Sequence, residues 1–126
     1  MNFRSPHMHA WLWASVVGVL MLLPGDAFPF PQLGRWLPQT FEGWIDKVEH
    51  LAAFAVMVVL VHRSLRASGR IGRPLLMAAL LTLGYALLLE LLQLVVPGRT
   101  WAPADLVADL VGVLLPLPII SRVPGS

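Results

Sequence analysis

The chain has 126 residues, of which 57% are hydrophobic and only 13% charged, and its mean hydropathy is +0.74. A soluble domain keeps about a quarter of its residues charged, so this composition excludes an ordinary water-soluble surface and indicates a membrane protein. The absence of cysteine excludes disulfides, thiolate nucleophiles and cysteine-based zinc sites. The net charge of +2 reflects arginines of the kind that flank membrane spans, so we predict no nucleic-acid partner.

Four apolar segments are long enough to cross a membrane or nearly so. A hydrocarbon core about 30 Å thick needs about 20 apolar residues in a helix. We therefore predict one all-α membrane domain over residues 1–126, a bundle of four transmembrane helices in a lipid bilayer. The predicted spans are residues 8–23, 45–62, 74–96 and 104–120.

The first span has an alternative reading as a cleaved signal peptide, because Arg4 precedes it and Pro24 follows it. No small-x-small cleavage pattern follows Leu23, however, and Trp11 and Trp13 are typical of an interfacial anchor. We therefore expect the segment to be retained.

Prolines and aromatic residues alternate between the first two spans, from Pro24 to Trp44. This connection is too apolar to remain solvated and too rich in proline to span. We predict that it lies in the outer interface, with Trp36, Trp44 and Trp101 in an aromatic belt. The alternative is a lid over an outward-facing site.

Positively charged residues divide unequally between the two sides of the predicted bundle. The side with more Lys and Arg is expected to face the cytoplasm, which predicts that both termini are cytoplasmic. That side carries Arg4, Arg63, Arg66, Arg70, Arg73 and Arg122, against Arg35, Lys47 and Arg99 on the outer side.

Polar residues recur at helical spacing near the outer end of three predicted helices. Residues three or four apart share a helix face, and polar stripes facing lipid would be unsatisfied, so we expect them to converge. The stripes are Asp46 or Lys47 with His50, Glu90 with Gln93, and Asp105 with Asp109 and Gly112.

Each of these polar residues also has a purely structural reading. Asp46, Glu49 and Asp105 begin helices, where carboxylates are stabilised by unpaired backbone N–H groups, and Arg99 follows a helix end, where a cation is favoured. Glu90 is harder to dismiss, because it lies inside a span and near a helix C-terminus. It needs a cationic partner or a proton, and a salt-bridge cluster that joins the helices is the structural alternative for the whole set.

Three segments resemble the signatures of the VanZ-like family. The run Asp46-Lys47-Val48-Glu49-His50-Leu51-Ala52-Ala53-Phe54 is similar to its Asp-Lys-x-x-His-x-x-x-Phe signature. Glu90-Leu91-Leu92-Gln93 followed by Pro97-Gly98-Arg99 resembles the second signature, and Asp105 with Asp109 and Gly112 the third. The family often has Asn where this chain has Asp109.

The resemblance implies a small bacterial integral membrane protein, and the family's named member is associated with teicoplanin resistance. It implies location and motif positions more than mechanism, because kinship of fold does not determine function.

Two classes of function are compatible with the polar residues. In a binding role, the headgroup of a lipid or lipid-linked envelope precursor would be contacted by Lys47, Arg99 and Gln93, with Asp46, Asp105 and Asp109 around it. In an enzymatic role, His50 would act as general base or nucleophile, Glu90 as orienting carboxylate or general acid, and Arg99 would stabilise developing charge.

Further alternatives stay open at this point. A metal ion would find nitrogen and oxygen ligands in His50, Glu90, Asp105 and Asp109, but the spacing assigns neither a metal nor another cofactor. A proton or ion pathway is the least favoured interpretation, and a membrane protein partner is the remaining alternative.

Overall fold

The computed structural model describes residues 4–22, 39–96 and 103–123, with the side chains of residues 39–46 outside the description. Within these ranges the chain forms five helices and no strand. They are α1 (Pro6–Leu22), α2 (Gln39–Ser68), α3 (Pro74–Gln93), α4 (Pro103–Leu114) and α5 (Leu117–Ser121). The prediction of an all-α fold is confirmed.

Proline and glycine account for most of the helix boundaries. Pro74 and Pro103 begin α3 and α4, positions where the missing N–H costs no helical hydrogen bond. Gly69 follows α2 with a positive φ of 64°, the left-handed conformation that often ends a helix. Pro116 separates α4 from α5 because it has no N–H to donate to the preceding turn.

Among the described residues, three segments are long and apolar enough to cross a membrane: Lys47–Ser68, Pro74–Gln93 and Pro103–Ser121. The last of these contains α4 and α5 together, so the span predicted at 104–120 is interrupted at Pro116. The helix α1 is apolar but has only 17 residues. The prediction of four spans thus corresponds to three membrane-capable segments and one shorter apolar helix.

The helix α2 extends beyond both predicted ends of its span. It begins at Gln39, inside the segment predicted as an interfacial loop, and continues six residues past His62. Arg63 and Arg66 are therefore helical rather than part of a connection. The apolar run ends at these arginines, but the helix continues through them because Arg is a good helix former.

Apolar side chains cover the outside of the bundle and fill its inside. Phe54, Met57, Val58 and Val113 are almost completely buried, whereas many leucines of α3 are about half exposed, including Leu80, Leu88 and Leu91. The exposed leucines suit a lipid surround, in which an apolar exterior costs nothing.

Hydrogen bonds from side chains to backbone carbonyls join α1 to α2 and α3. Trp13 Nε1 donates to the carbonyl of Ala53 in α2 at 2.9 Å. Tyr85 of α3 donates its hydroxyl to the carbonyl of Ala14 at 2.6 Å. The small Gly18 leaves room for that hydroxyl, because a Cβ there would lie 2.6 Å from it.

The helices α2 and α4 are in close backbone contact at Gly112. A Cβ at this position would overlap the carbonyl oxygen of Leu51, so no side chain fits there without movement of the backbone. Gly112 lies three residues after Asp109, and Leu51 directly follows His50. The close approach therefore brings the polar residues of the two helices together.

Candidate functional site

A buried polar cluster is formed by one residue from each of three helices: His50 of α2, Glu90 of α3 and Asp109 of α4. The exposed fractions are 3%, 3% and 1%. Charged residues are almost never buried so completely unless they are paired. We call these three residues the polar cluster.

One nitrogen of the His50 imidazole lies close to both carboxylates. Its Nδ1 is 2.7 Å from Asp109 Oδ1 and 3.8 Å from Glu90 Oε1. With Asp109 ionised, Nδ1–H is the donor in this contact, because an ionised carboxylate only accepts hydrogen bonds. That bond holds the ring in one orientation and one tautomer, as the carboxylate partners of catalytic and metal-bound histidines do.

Two carboxylate oxygens of the cluster have no hydrogen-bond partner within the described part of the chain, Glu90 Oε2 and Asp109 Oδ2. Leaving a buried acceptor unsatisfied typically costs about 1–3 kcal/mol, and more for a charged group. Two acids also exceed the single positive charge that one imidazole can carry. The cluster is therefore suited to a further donor or cation.

A second polar contact lies one helical turn from the cluster, between Lys47 of α2 and Asp105 of α4. The ammonium and the carboxylate are in direct contact, and the two side chains are 28% and 8% exposed. Lys47 is three residues before His50 and Asp105 four before Asp109, so the two pairs stack along the same α2–α4 contact.

Gln93 points to α1 rather than into the cluster. Its Nε2 donates to the backbone carbonyl of Met21 at 2.7 Å, and the residue is 3% exposed. Gln93 was expected to serve a ligand, but in this structure its amide joins α3 to the end of α1. The side chain of Asp46, and Arg99, Trp36 and Trp101 entirely, lie outside the described residues.

A second buried histidine occupies the opposite half of the bundle, at the last residue of the span predicted at 45–62, where the sequence suggested a residue at the cytoplasmic edge. His62 is 4% exposed and its Nε2 has no hydrogen-bond partner among the described residues. It lines a cavity of about 630 Å³ together with Val59, Arg63 and Ile120. Its position in an apolar run, 12 residues after His50, is the only signal in the sequence.

Comparison with protein families gives a match over nearly the whole chain. The family model described as VanZ/LLP1 matches residues 7–122. The chain belongs to the VanZ/LLP1 family. Comparison with curated proteins and with solved structures gives no match.

Membership in the VanZ/LLP1 family and the three membrane-capable segments together identify a VanZ-like multi-pass membrane protein. The matched range contains all of the polar cluster, the Lys47–Asp105 pair and the Gly112 contact. The family match confirms the resemblance seen in the sequence, while the roles of the individual residues stay predictions.

Proposed function

We propose that this VanZ/LLP1 family protein lies in the bacterial inner membrane with both termini in the cytoplasm and binds, at its outer face, the headgroup of a lipid or lipid-linked envelope precursor. The observation that carries the proposal is the pair of buried, unpartnered carboxylate oxygens on Glu90 and Asp109. In a purely structural cluster, protein groups would donate hydrogen bonds to such buried oxygens.

The orientation in the membrane rests on the separation of charge along the bundle. Arg63 and Arg66 lie near the end of α2, Arg73 precedes α3 and Arg122 follows α5. No acid occurs between His50 and Glu90. Since the arginine-rich end is expected in the cytoplasm, the polar cluster belongs to the outer half.

The depth of the cluster suits contact with a headgroup. Glu90 is three residues from the end of α3, about 4.5 Å along the helix, and Asp109 is six residues from the start of α4, about 9 Å. Both distances lie within reach of the interface, whose headgroup region adds several ångströms on each side of the hydrocarbon core.

The structure changes which residues we expect to meet the ligand. Lys47 contacts Asp105 and Gln93 binds the backbone of α1, so neither is as available as the sequence suggested. Glu90 and Asp109 would instead accept hydrogen bonds from the hydroxyl or amine groups of a headgroup. A phosphate would need a cation between it and these carboxylates.

A second candidate function is hydrolysis of a phosphate ester in such a headgroup. It is favoured by the 2.7 Å contact that orients His50 against Asp109, the arrangement that general-base histidines use. His50 would accept a proton from water as the water oxygen bonds to phosphorus. The bond from phosphorus to the leaving oxygen would break, and Glu90 in its acid form would protonate that oxygen.

Lipid retention tests the binding proposal. We would purify the wild type and Glu90→Gln, confirm that both are folded, and identify the retained lipids by mass spectrometry. The expected result is an anionic or isoprenoid lipid that is retained by the wild type and lost by Glu90→Gln. Glu49→Gln is the matched control, because Glu49 is exposed and one residue from His50. Equal retention by all three proteins would contradict the proposal.

Product analysis tests the hydrolytic candidate. A lipid phosphate offered in ¹⁸O-labelled water should give labelled phosphate with the wild type and not with His50→Ala. Retention of the lipid without any labelled product would leave the binding function and remove the enzymatic one.

The association of the family's named member with teicoplanin resistance suggests a cellular readout. Deleting this protein should lower the teicoplanin concentration that stops growth, and wild type but not Glu90→Gln should restore it. An unchanged concentration after deletion would argue against a role in resistance.

A further inference from the structure

The distances within the polar cluster match those between ligands of one metal ion. Nitrogen and oxygen ligands lie about 2.0–2.2 Å from a transition metal, so two ligands of the same ion are at most about 4.3 Å apart. The distances from His50 Nδ1 to Asp109 Oδ1 and Glu90 Oε1 are 2.7 and 3.8 Å. All three ligand atoms lie within 4.8 Å of one another, so a shift of at most about 0.5 Å brings every pair within that limit.

The charge and hydrogen bonding of the cluster favour a cation over a closed ion-pair network. In a closed network every buried oxygen would have a donor, but Glu90 Oε2 and Asp109 Oδ2 have none within the described residues. A divalent cation would neutralise two carboxylates beside a neutral imidazole. It would also supply the missing partner of both acids.

We infer that His50, Glu90 and Asp109 hold a divalent transition-metal ion. The ligand set selects the class of metal, because imidazole suits Zn²⁺, Fe²⁺ or Ni²⁺ and carboxylates suit Mn²⁺, Mg²⁺ or Ca²⁺. One nitrogen with two carboxylates therefore favours Mn²⁺ or Zn²⁺ over Mg²⁺ and Ca²⁺. Three protein ligands leave coordination positions open for an outside ligand.

The open positions suggest the class of ligand. A cation bound by acids attracts a phosphate oxygen, which the carboxylates alone would repel. This part of the inference rests on the proposed function, since it identifies the phosphate of the headgroup as the group that the metal contacts. The Lys47–Asp105 pair lies one turn away and is not among the three ligands.

Binding of Mn²⁺ tests the metal site directly. The full chain in detergent would be titrated with Mn²⁺ in excess Mg²⁺, and free Mn²⁺ followed by its electron paramagnetic resonance signal. We expect one tight site in the wild type and affinities at least tenfold weaker in Glu90→Gln and Asp109→Asn. Glu49→Gln should bind as the wild type does. Equal binding by the wild type and the two cluster variants would overturn the inference.

Two measurements on the wild type do not depend on the folding of a variant. Bound Mn²⁺ should show hyperfine coupling to a ¹⁴N nucleus, because one ligand is an imidazole. Binding should also weaken as the pH falls, because protons compete with the ion for the imidazole and the two carboxylates. Bound Mn²⁺ without nitrogen coupling would exclude His50 and overturn the proposed ligand set.

The metal and the proposed function fail in distinguishable ways. Tight, nitrogen-coupled Mn²⁺ without selective lipid retention would establish the ion and contradict headgroup binding. Selective retention that survives chelation of all metals, with no Mn²⁺ site, would keep headgroup binding and overturn the metal.

Discussion

Two buried histidines on one helix have opposite surroundings. Nδ1 of His50 lies close to two carboxylates, whereas Nε2 of His62 has no hydrogen-bond partner among the described residues. A buried polar group with partners stabilises the fold when those partners would otherwise be left unsatisfied, and one without partners does the reverse. The same substitution should therefore have different effects at the two positions.

We predict that His62→Leu leaves the free energy of unfolding unchanged or raises it by up to about 1 kcal/mol, because an unsatisfied nitrogen is replaced by apolar volume. His50→Leu should lower it by about 2–4 kcal/mol, since two buried carboxylates lose their partner. Unfolding in mixed detergent micelles, followed by circular dichroism, measures both. Equal destabilisation by the two variants would contradict this assignment.

At the scale of the helices, one glycine determines how closely α2 and α4 pack. The Cβ of an alanine at position 112 would meet the backbone of Leu51, and a backbone atom cannot turn aside as a flexible side chain can. The two helices would have to separate. Because His50 and Asp109 lie beside this contact, separation would lengthen the bond between them.

We predict that Gly112→Ala destabilises the protein by about 1–3 kcal/mol, the usual cost of overpacking, and weakens Mn²⁺ binding. Gly84→Ala is the control, because nothing lies within 4 Å of a Cβ at that position of α3. An alanine there should be neutral or stabilise by up to about 1 kcal/mol, as alanine is the better helix former. Unchanged stability and metal affinity in Gly112→Ala would show that the close contact is not needed.

Local patterns explain why much of the site was predictable and where prediction stopped. His50, Glu90 and Asp109 each lie three or four residues from another polar residue of the same helix. This helical period alone predicts that each faces the inside of the bundle. The position of Gln93 against Met21 depends on how α1 packs, which no local pattern contains. The extension of α2 past His62 was missed because hydropathy changes at Arg63 while helix propensity does not.

At the scale of the whole molecule, charge separates along the bundle and should determine its orientation. The chain has no cysteine, so single cysteines can be introduced without background labelling. Ser68 at the end of α2 and Glu49 near the polar cluster are both exposed, and they lie close to opposite ends of the membrane-capable segment Lys47–Ser68.

We predict that an impermeant thiol reagent labels Glu49→Cys and not Ser68→Cys. The reagent is added outside intact, right-side-out vesicles of the inner membrane. Inverted vesicles should give the opposite pattern, because the arginine-rich end faces the cytoplasm. Labelling of Ser68→Cys from outside would reverse the orientation and place the polar cluster in the inner half.

The length of α1 has a consequence for the bilayer itself. Its 17 residues measure about 25 Å, about 5 Å less than a typical hydrocarbon core. As the predicted first span, it would be accommodated by thinning of the surrounding lipid. Its last turn is joined through Met21 to Gln93, one helical turn from Glu90. Hydrophobic mismatch at α1 would thus bring the phosphate layer of the bilayer closer to the carboxylates of Glu90 and Asp109. Binding of the lipid headgroup should therefore be stronger in bilayers of short-chain lipids.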